Sequence, residues 1–297
     1  MLQSSMFTQL ARVKFVCRIM SIFDVQANFK QTSTQMSNYV NPMAFYQKKA
    51  REMVSLLEPE EKHWFAGGPR SNAVALNCLY NEKVIAVPTD TIYGFAALAQ
   101  NNKAINKLYE IKGREKTKPL AVTVSCVHEI TQWAETDHLT PRLLRDLLPG
   151  PVTVVLKRKA SLNPAFNPGH ETVGIRVPRS KFIQSICTTI GQPLALTSAN
   201  ISNEQSSLHP NEFAPLWPKL GAIFYELQKP SMLDDAQRVG STVVDLTVPG
   251  EYEILRKGIH YARTIRILNE FGVDRNKIIV TNAEELPSEC SECINIK

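Results

Sequence analysis

Residues 84–98 read VIAVPTDTIYGFAAL, and a short apolar run cut off by proline and followed at once by small polar residues leaves few folds open. Val84, Ile85 and Val87 suit a buried strand, and Pro88 ends it because its nitrogen has no hydrogen to give a ladder. Thr89, Asp90 and Thr91 then offer hydroxyls, a carboxylate and backbone N–H groups at a strand end, where open α/β sheets bind ligands. Gly94 permits close approach of a ligand or of a second backbone. Two readings stand at this point: a ligand-binding strand end, or an N-capped strand-to-helix turn that binds nothing.

The same grammar recurs downstream. Strands are expected at residues 120–125 (LAVTVS), 152–156 (VTVVL), 172–178 (TVGIRVP), 193–197 (PLALT), 222–225, 241–246 and 253–255. Between them the apolar spacing predicts helices over 71–80, 102–112, 139–148 and 182–190, with a shorter one at 211–216. In 102–112, Ile105, Leu108 and Ile111 share one face; Gly191 reads as a C-cap, and Pro149, Gly150 and Pro151 force a turn. Strands alternating with helices define an α/β chain.

Composition narrows the class further. The chain has 297 residues, 43% of them hydrophobic, enough for one large core or two small ones, and it shows no internal repeat. No apolar run approaches the ~18 residues of a membrane span, so stable membrane insertion is not expected. A net charge of +6 suits a phosphate-bearing partner without selecting one. Cys17, Cys78, Cys126, Cys187, Cys290 and Cys293 are scattered and read as free thiols; the C-x-x-C at Cys290 and Cys293 has no second pair to complete a metal site.

The ends differ from the middle. In residues 1–42, Arg12, Lys14, Arg18 and Lys30 face the single acid Asp24 among many Ser, Thr and Gln residues, which reads either as a mitochondrial presequence or as a disordered tail. Met20, Met36 and Met43 would permit shorter forms, so cytoplasm and mitochondrion are both expected. Residues 43–70 read as a charged helix or linker broken by Gly67, Gly68 and Pro69, 71–263 as the folded domain, and 264–297 as a polar C-terminal tail.

Several positions carry chemistry that packing alone does not ask for. Lys112, Arg114, Lys116 and Lys118 alternate with small or polar residues before Pro119, either compensating a helix C-terminus or clamping a triphosphate. Arg176 stands inside an apolar strand, a costly place unless an anion or carboxylate meets it. Ser198 and Asn200 end another strand as a polar cradle or as a cap and turn.

Seven segments in one order, PTDTIYG (88–94), KGREKTKPL (112–120), LPGPVTVVL (148–156), TVGIRVP (172–178), TSANIS (197–202), GSTVVD (240–245) and LRKG (255–258), resemble the YrdC family of threonylcarbamoyl-AMP synthases, in its short eukaryotic form without an added C-terminal domain. The resemblance implies a single twisted, open, mixed sheet flanked by helices around a basic concave site. It implies conversion of L-threonine, bicarbonate and ATP, with Mg2+, to threonylcarbamoyl-AMP and pyrophosphate, the first step of threonylcarbamoyladenosine formation in tRNA. A tRNA-modifying threonylcarbamoyl transferase would act downstream, and a weak RNA contact is also implied. By the same resemblance, Thr91, Thr123, Arg176, Ser198 and Ser241 bind threonine, and Lys112, Arg114, Lys118, Thr172, Asn200 and Arg256 bind ATP. Lys112 and Arg114 are the expected catalytic residues, and no protein metal ligand is assigned. Thr123 stands where some relatives carry His. The competing reading is a non-catalytic RNA-binding module of the same fold, which would show steep salt dependence and no need for threonine.

Overall fold

The computed structural model describes residues 61–226 and 238–277, all within one compact unit that spans residues 54–297. The expected presequence at 1–42, and the charged stretch as far as residue 60, lie outside the described residues. Among the described residues no helix is long and apolar enough to cross a membrane.

A single mixed sheet organises the unit. Its strands are β1 (His63–Phe65), β2 (Ile85–Val87), β3 (Gly94–Leu98), β4 (Ala121–Thr123), β5 (Val152–Lys157), β6 (Thr172–Arg176), β7 (Leu194–Ser198), β8 (Ala222–Tyr225), β9 (Thr242–Asp245), β10 (Glu251–Arg256) and β11 (Asp274–Lys277). Their order in space is β1-β8-β2-β3-β7-β4-β6-β5-β9-β10-β11. Among the described residues, five parallel pairs (β1 with β8, β8 with β2, β4 with β6, β5 with β9, β10 with β11) stand among five antiparallel ones, so the sheet is mixed and the chain α/β.

The helices form where apolar spacing and local caps agree. α1 (Gly68–Tyr80) carries proline in its first turn, where the missing N–H costs nothing. α2 (Asn102–Lys112) is capped by the Asn101 side chain, which accepts from Ala104 N at 3.0 Å, and Gly113 ends it at φ 56° in the left-handed region. α3 (Ile130–Trp133) is a single turn; α4 (Pro141–Leu147) and α5 (Lys181–Ile190) are capped by Thr140 and Ser180. α6 (Tyr261–Glu270) follows β10. α1 packs against α5, with Asn72 Nδ2 donating to Ser185 Oγ at 2.8 Å, and α4 packs against α6.

Four expectations need correction. The turn after Pro88 leads into no helix: β3 returns antiparallel beside β2, with Val87 opposite Gly94. Every residue of β3 is buried, so it has no period-2 alternation to distinguish it from a helix. The linker at 43–70 contains β1, and the helix begins at Gly68, within the expected break. The polar tail is not a tail over its first part, because α6 buries Thr264, Ile267 and Leu268 and β11 adds to the sheet edge beside β10. The short helix at 211–216 is a 3-10 segment, Pro210–Lys219, interrupted at Phe213, as its prolines require.

Candidate active site

Residues from seven adjacent strands, β3 through β10 in spatial order, line one hollow of about 350 Å3. Seven strands at their usual spacing would spread over about 29 Å if flat, so lining one small cavity requires the sheet to curl. The floor is made of small residues where β4, β6 and β5 meet. A Cβ on Gly174 would lie 3.1 Å from Thr153 Cγ2 and 3.6 Å from Ala121 Cβ. Glycine there keeps the floor low.

Six of the sequence-derived candidates meet at this hollow: Arg114, Thr172, Arg176, Ser198, Ser241 and Arg256. Arg176 is 6% exposed, and the carboxylate its burial demands is supplied from within the chain. Its Nη2 donates to Asp90 Oδ1 in a short ion pair and to Thr91 Oγ1 at 2.8 Å, while its Nε is buried with no partner. The other oxygen of Asp90 accepts from Arg179 N at 2.9 Å. The turn that brings Asp90 and Thr91 here is tied by Thr89, whose Oγ1 donates to Ile92 O at 2.6 Å and accepts from Thr91 N at 3.1 Å.

On the opposite wall Arg256 donates through Nε and Nη2 to Ser241 O at 3.2 and 2.9 Å, and through Nη2 to Ser241 Oγ at 3.1 Å. Ser241 Oγ lies 2.8 Å from Thr153 Oγ1. Burial depresses the pKa of Arg256, and the neighbouring charges of Arg176 and Arg114 depress it further. Arg114 and Arg176 are likewise pushed down, chiefly by burial. Three guanidiniums therefore share one hollow with one neighbouring carboxylate, an arrangement suited to a polyanion.

The remaining candidates stand behind the lining. Lys112 is 1% exposed, and its Nζ donates to Ser198 O at 2.6 Å and Asn200 O at 2.7 Å, with Asn200 Oδ1 at 3.3 Å. It therefore ties α2 to the end of β7 and sets where Ser198 enters the hollow. Burial first and Arg114 second push its pKa down to about 7, with Glu204 opposing. Asn200 Nδ2 donates to Ile201 O and Glu204 O, shaping the turn after β7. Thr91 reaches the site through Arg176, and Thr123, opposite Arg176 in the sheet, is fully buried with an unpartnered Oγ1. Lys118 turns its ammonium to Asn203 Oδ1 at 3.3 Å and contributes its carbonyl, which accepts from Arg114 Nε at 3.1 Å.

Thr153 escaped the sequence reading, and so did the partner of Asp90. Thr153 is the one hydroxyl in an apolar strand run, a signal that was present; Asp90 stood in the opening motif, but its pairing with Arg176 is a product of the fold. Gly94 lines the hollow, yet its closest neighbour is Leu196, whose Cδ1 would lie 2.8 Å from an added Cβ, so it serves the approach of β7 to β3. The lining residues include no Asp, Glu, His or Cys, and among the described residues no group of three or more such side chains could hold a metal. Of the described residues, those lining the hollow therefore offer a hard cation hydroxyls and carbonyls but no carboxylate.

Comparison with known proteins follows the same outline. The chain is 45% identical over 194 residues to a threonylcarbamoyl-AMP synthase from Bos taurus, covering 64% of this chain and 68% of that protein. A threonylcarbamoyl-AMP synthase from Homo sapiens is 43% identical over 187 residues, covering 63% and 67%. The crystal structure of P. abyssi Sua5 complexed with L-threonine superposes with a TM-score of 0.63 at 24% identity, over 72% of this chain and 62% of that one, which is a likeness of fold. The family model described as telomere recombination, Sua5/YciO/YrdC, matches residues 77–258, the span that holds β2 to β10 and all eleven candidate residues, and the chain belongs to that family.

Proposed function

We infer that the chain is a threonylcarbamoyl-AMP synthase, an enzyme that joins L-threonine, bicarbonate and ATP into threonylcarbamoyl-AMP and pyrophosphate in the first step of tRNA threonylcarbamoyladenosine modification. The observation that carries this reading is the cationic hollow, where Arg114, Arg176 and Arg256 converge with the hydroxyls of Thr172, Ser198 and Ser241. Relatives named for this activity, 45% and 43% identical, support it.

The threonine amine bonds to the carbon of bicarbonate, with loss of water, to give a carbamate. A carbamate oxygen then attacks the α-phosphorus of ATP, and the bond to the β-phosphate oxygen breaks, its electron pair leaving with pyrophosphate. Such chemistry asks for alignment and for cations around spreading negative charge, and holding the reactants in line contributes on the order of 7–11 kcal/mol. In this reading Arg114 and Arg256 face the phosphates, with Thr172 and Ser198 beside them. Arg176, its Nη2 held by Asp90 and Thr91, turns its remaining donors to the threonine carboxylate. Ser241 completes that side of the pocket, with Thr91 and Thr123 acting from behind the lining beside Arg176; Lys112, Lys118 and Asn200 support the ATP side. Mg2+ neutralises the triphosphate that it accompanies.

The finer assignments belong here too. The basic, acid-poor segment 1–42 supports entry to the mitochondrion, and forms begun at internal methionines support a cytoplasmic pool. The unstable product implies a threonylcarbamoyl transferase as the downstream partner, and a weak RNA contact would use the basic surface.

The test is release of pyrophosphate from ATP with and without L-threonine and bicarbonate. Release should require both, and Arg114→Ala should lower it by at least ~100-fold with an unchanged circular dichroism spectrum. Release that ignores threonine overturns the synthase reading; salt-sensitive RNA binding without turnover would favour the binding module instead.

A further inference from the structure

One buried side chain outside the hollow is bonded to the backbone of the site. Asn167, in the connection between β5 and β6, is 0% exposed and sits at φ 51°, the left-handed region that asparagine tolerates better than most residues. Its amide imitates a neighbouring strand. Nδ2 donates to Leu120 O at 2.8 Å, and Oδ1 accepts from Leu120 N at 2.9 Å. The connection itself does not need this bond to stay folded, because Arg158 grips it independently, donating to Phe166 O, to Leu162 O at 3.2 Å and to Asn163 O at 2.7 Å.

What Asn167 holds is the far end of the segment that carries Arg114. Residues 113–119 are exposed or half-buried, and the next, Leu120, is buried. The two carbonyls just before Leu120 fix the guanidinium: Lys118 O accepts from Arg114 Nε at 3.1 Å, and Pro119 O accepts from its Nη2 at 3.0 Å. The Tyr109 hydroxyl lies 3.4 Å from both Lys118 O and Asn167 Oδ1, closing the group. With Leu120 released, the carbonyls that aim Arg114 into the hollow would lose their anchor, although no residue lining the hollow would have been replaced.

We propose that Asn167 is a positioning residue for Arg114, bonding both backbone groups of Leu120 so that the Lys118 and Pro119 carbonyls hold the guanidinium at the phosphate side of the hollow. This rests on reading the hollow as an ATP site. The experiment is a calorimetric titration with ATP of four forms: the unaltered chain, Asn167→Gly, Arg114→Ala and the double variant. Glycine keeps the left-handed backbone and removes only the amide. Asn167→Gly should raise the ATP Kd roughly tenfold, the loss of about one well-placed contact. In turnover it should raise the KM for ATP and leave that for threonine unchanged. In the Arg114→Ala background it should add less than about twofold, because both changes remove the same contact. If Asn167→Gly does not fold, Asn167→Asp carries the same comparison, keeping the acceptor for Leu120 N and losing the donor to Leu120 O. An unchanged Kd in a folded variant, or losses that multiply in the double variant, overturns the proposal while leaving the ATP site intact. An unaltered chain that does not bind ATP overturns the reading of the hollow and this proposal with it.

Discussion

Lys112 is the most exactingly placed cation of the site, and its surroundings make it sensitive to pH. Its ammonium is buried among carbonyl oxygens of Ser198 and Asn200, and burial together with Arg114 brings its pKa from 10.5 down to about 7. A polyphosphate bound in the hollow, on the far side of Ser198, favours the charged form and lifts that value. ATP binding is then linked to proton uptake, with a definite sign. Below about pH 7 the ammonium is already present and the affinity is flat; as pH rises above 7 the affinity falls, because binding must recharge the lysine. Calorimetry at pH 8 in two buffers of different ionisation heat should show uptake approaching one proton for the unaltered chain and none for Lys112→Met. Equal heats in both buffers would separate Lys112 from the electrostatics of the nucleotide. Arg176 shows how much of such a site the residues disclose in advance. A guanidinium inside an apolar strand announces that a negative charge must meet it, but not whose: the answer, Asp90, lies 86 positions away and is fixed only by folding. Asn167 disclosed nothing, since an asparagine in an Asn- and Pro-rich loop looks like any other turn residue until its partner, Leu120, is known.

At the level of elements, the strand ends were legible and the strand pairings were not. Pro88, Pro178 and the polar run after β7 mark where strands stop, whereas β3, buried on both faces, and β11, with the polar sequence DRNK, carry no alternation at all. β11 is held by backbone bonds beside β10 and by Asp274 N donating to Gly250 O at 2.9 Å, a pairing that side-chain pattern does not encode. The same closeness of backbones governs the end of β10. A Cβ on Gly258 would lie 2.2 Å from Thr242 N and 2.3 Å from Ser241 C, atoms of the strand start that Arg256 grips. Gly258→Ala must therefore push the two segments apart. It should destabilise the fold by about 1–3 kcal/mol in urea unfolding and weaken ATP binding. Gly94→Ala meets first the end of the Leu196 side chain, at 2.8 Å, which can swing aside, and should cost less. The reverse ranking would mean that Gly258 tolerates a side chain by a backbone shift that leaves Ser241 and Arg256 in place.

The molecule as a whole gathers like charge where its sheet curls. Arg114, Arg176 and Arg256 line one hollow, Asp90 offsets only one of them, and the complete chain carries a net charge of +6. Mutual repulsion is thus built into the free fold, and an anion relieves it. Salt should act on the two states in opposite ways, because the screening length falls from about 10 Å at 0.1 M to about 3 Å at 1 M. Added NaCl should raise the melting temperature of the free protein by screening the guanidiniums from one another. Pyrophosphate at a hundred times its Kd should stabilise the protein by about 2.7 kcal/mol, and this increment should shrink as NaCl rises and weakens the anion's hold. Arg256→Met, which removes the guanidinium most crowded by the other two, should flatten both dependences. Differential scanning calorimetry across that salt range, with and without pyrophosphate, reads both slopes in one series. A pyrophosphate increment that salt leaves unchanged would place the anion outside this hollow. Identical slopes in Arg256→Met would show that the repulsion resides elsewhere on the surface.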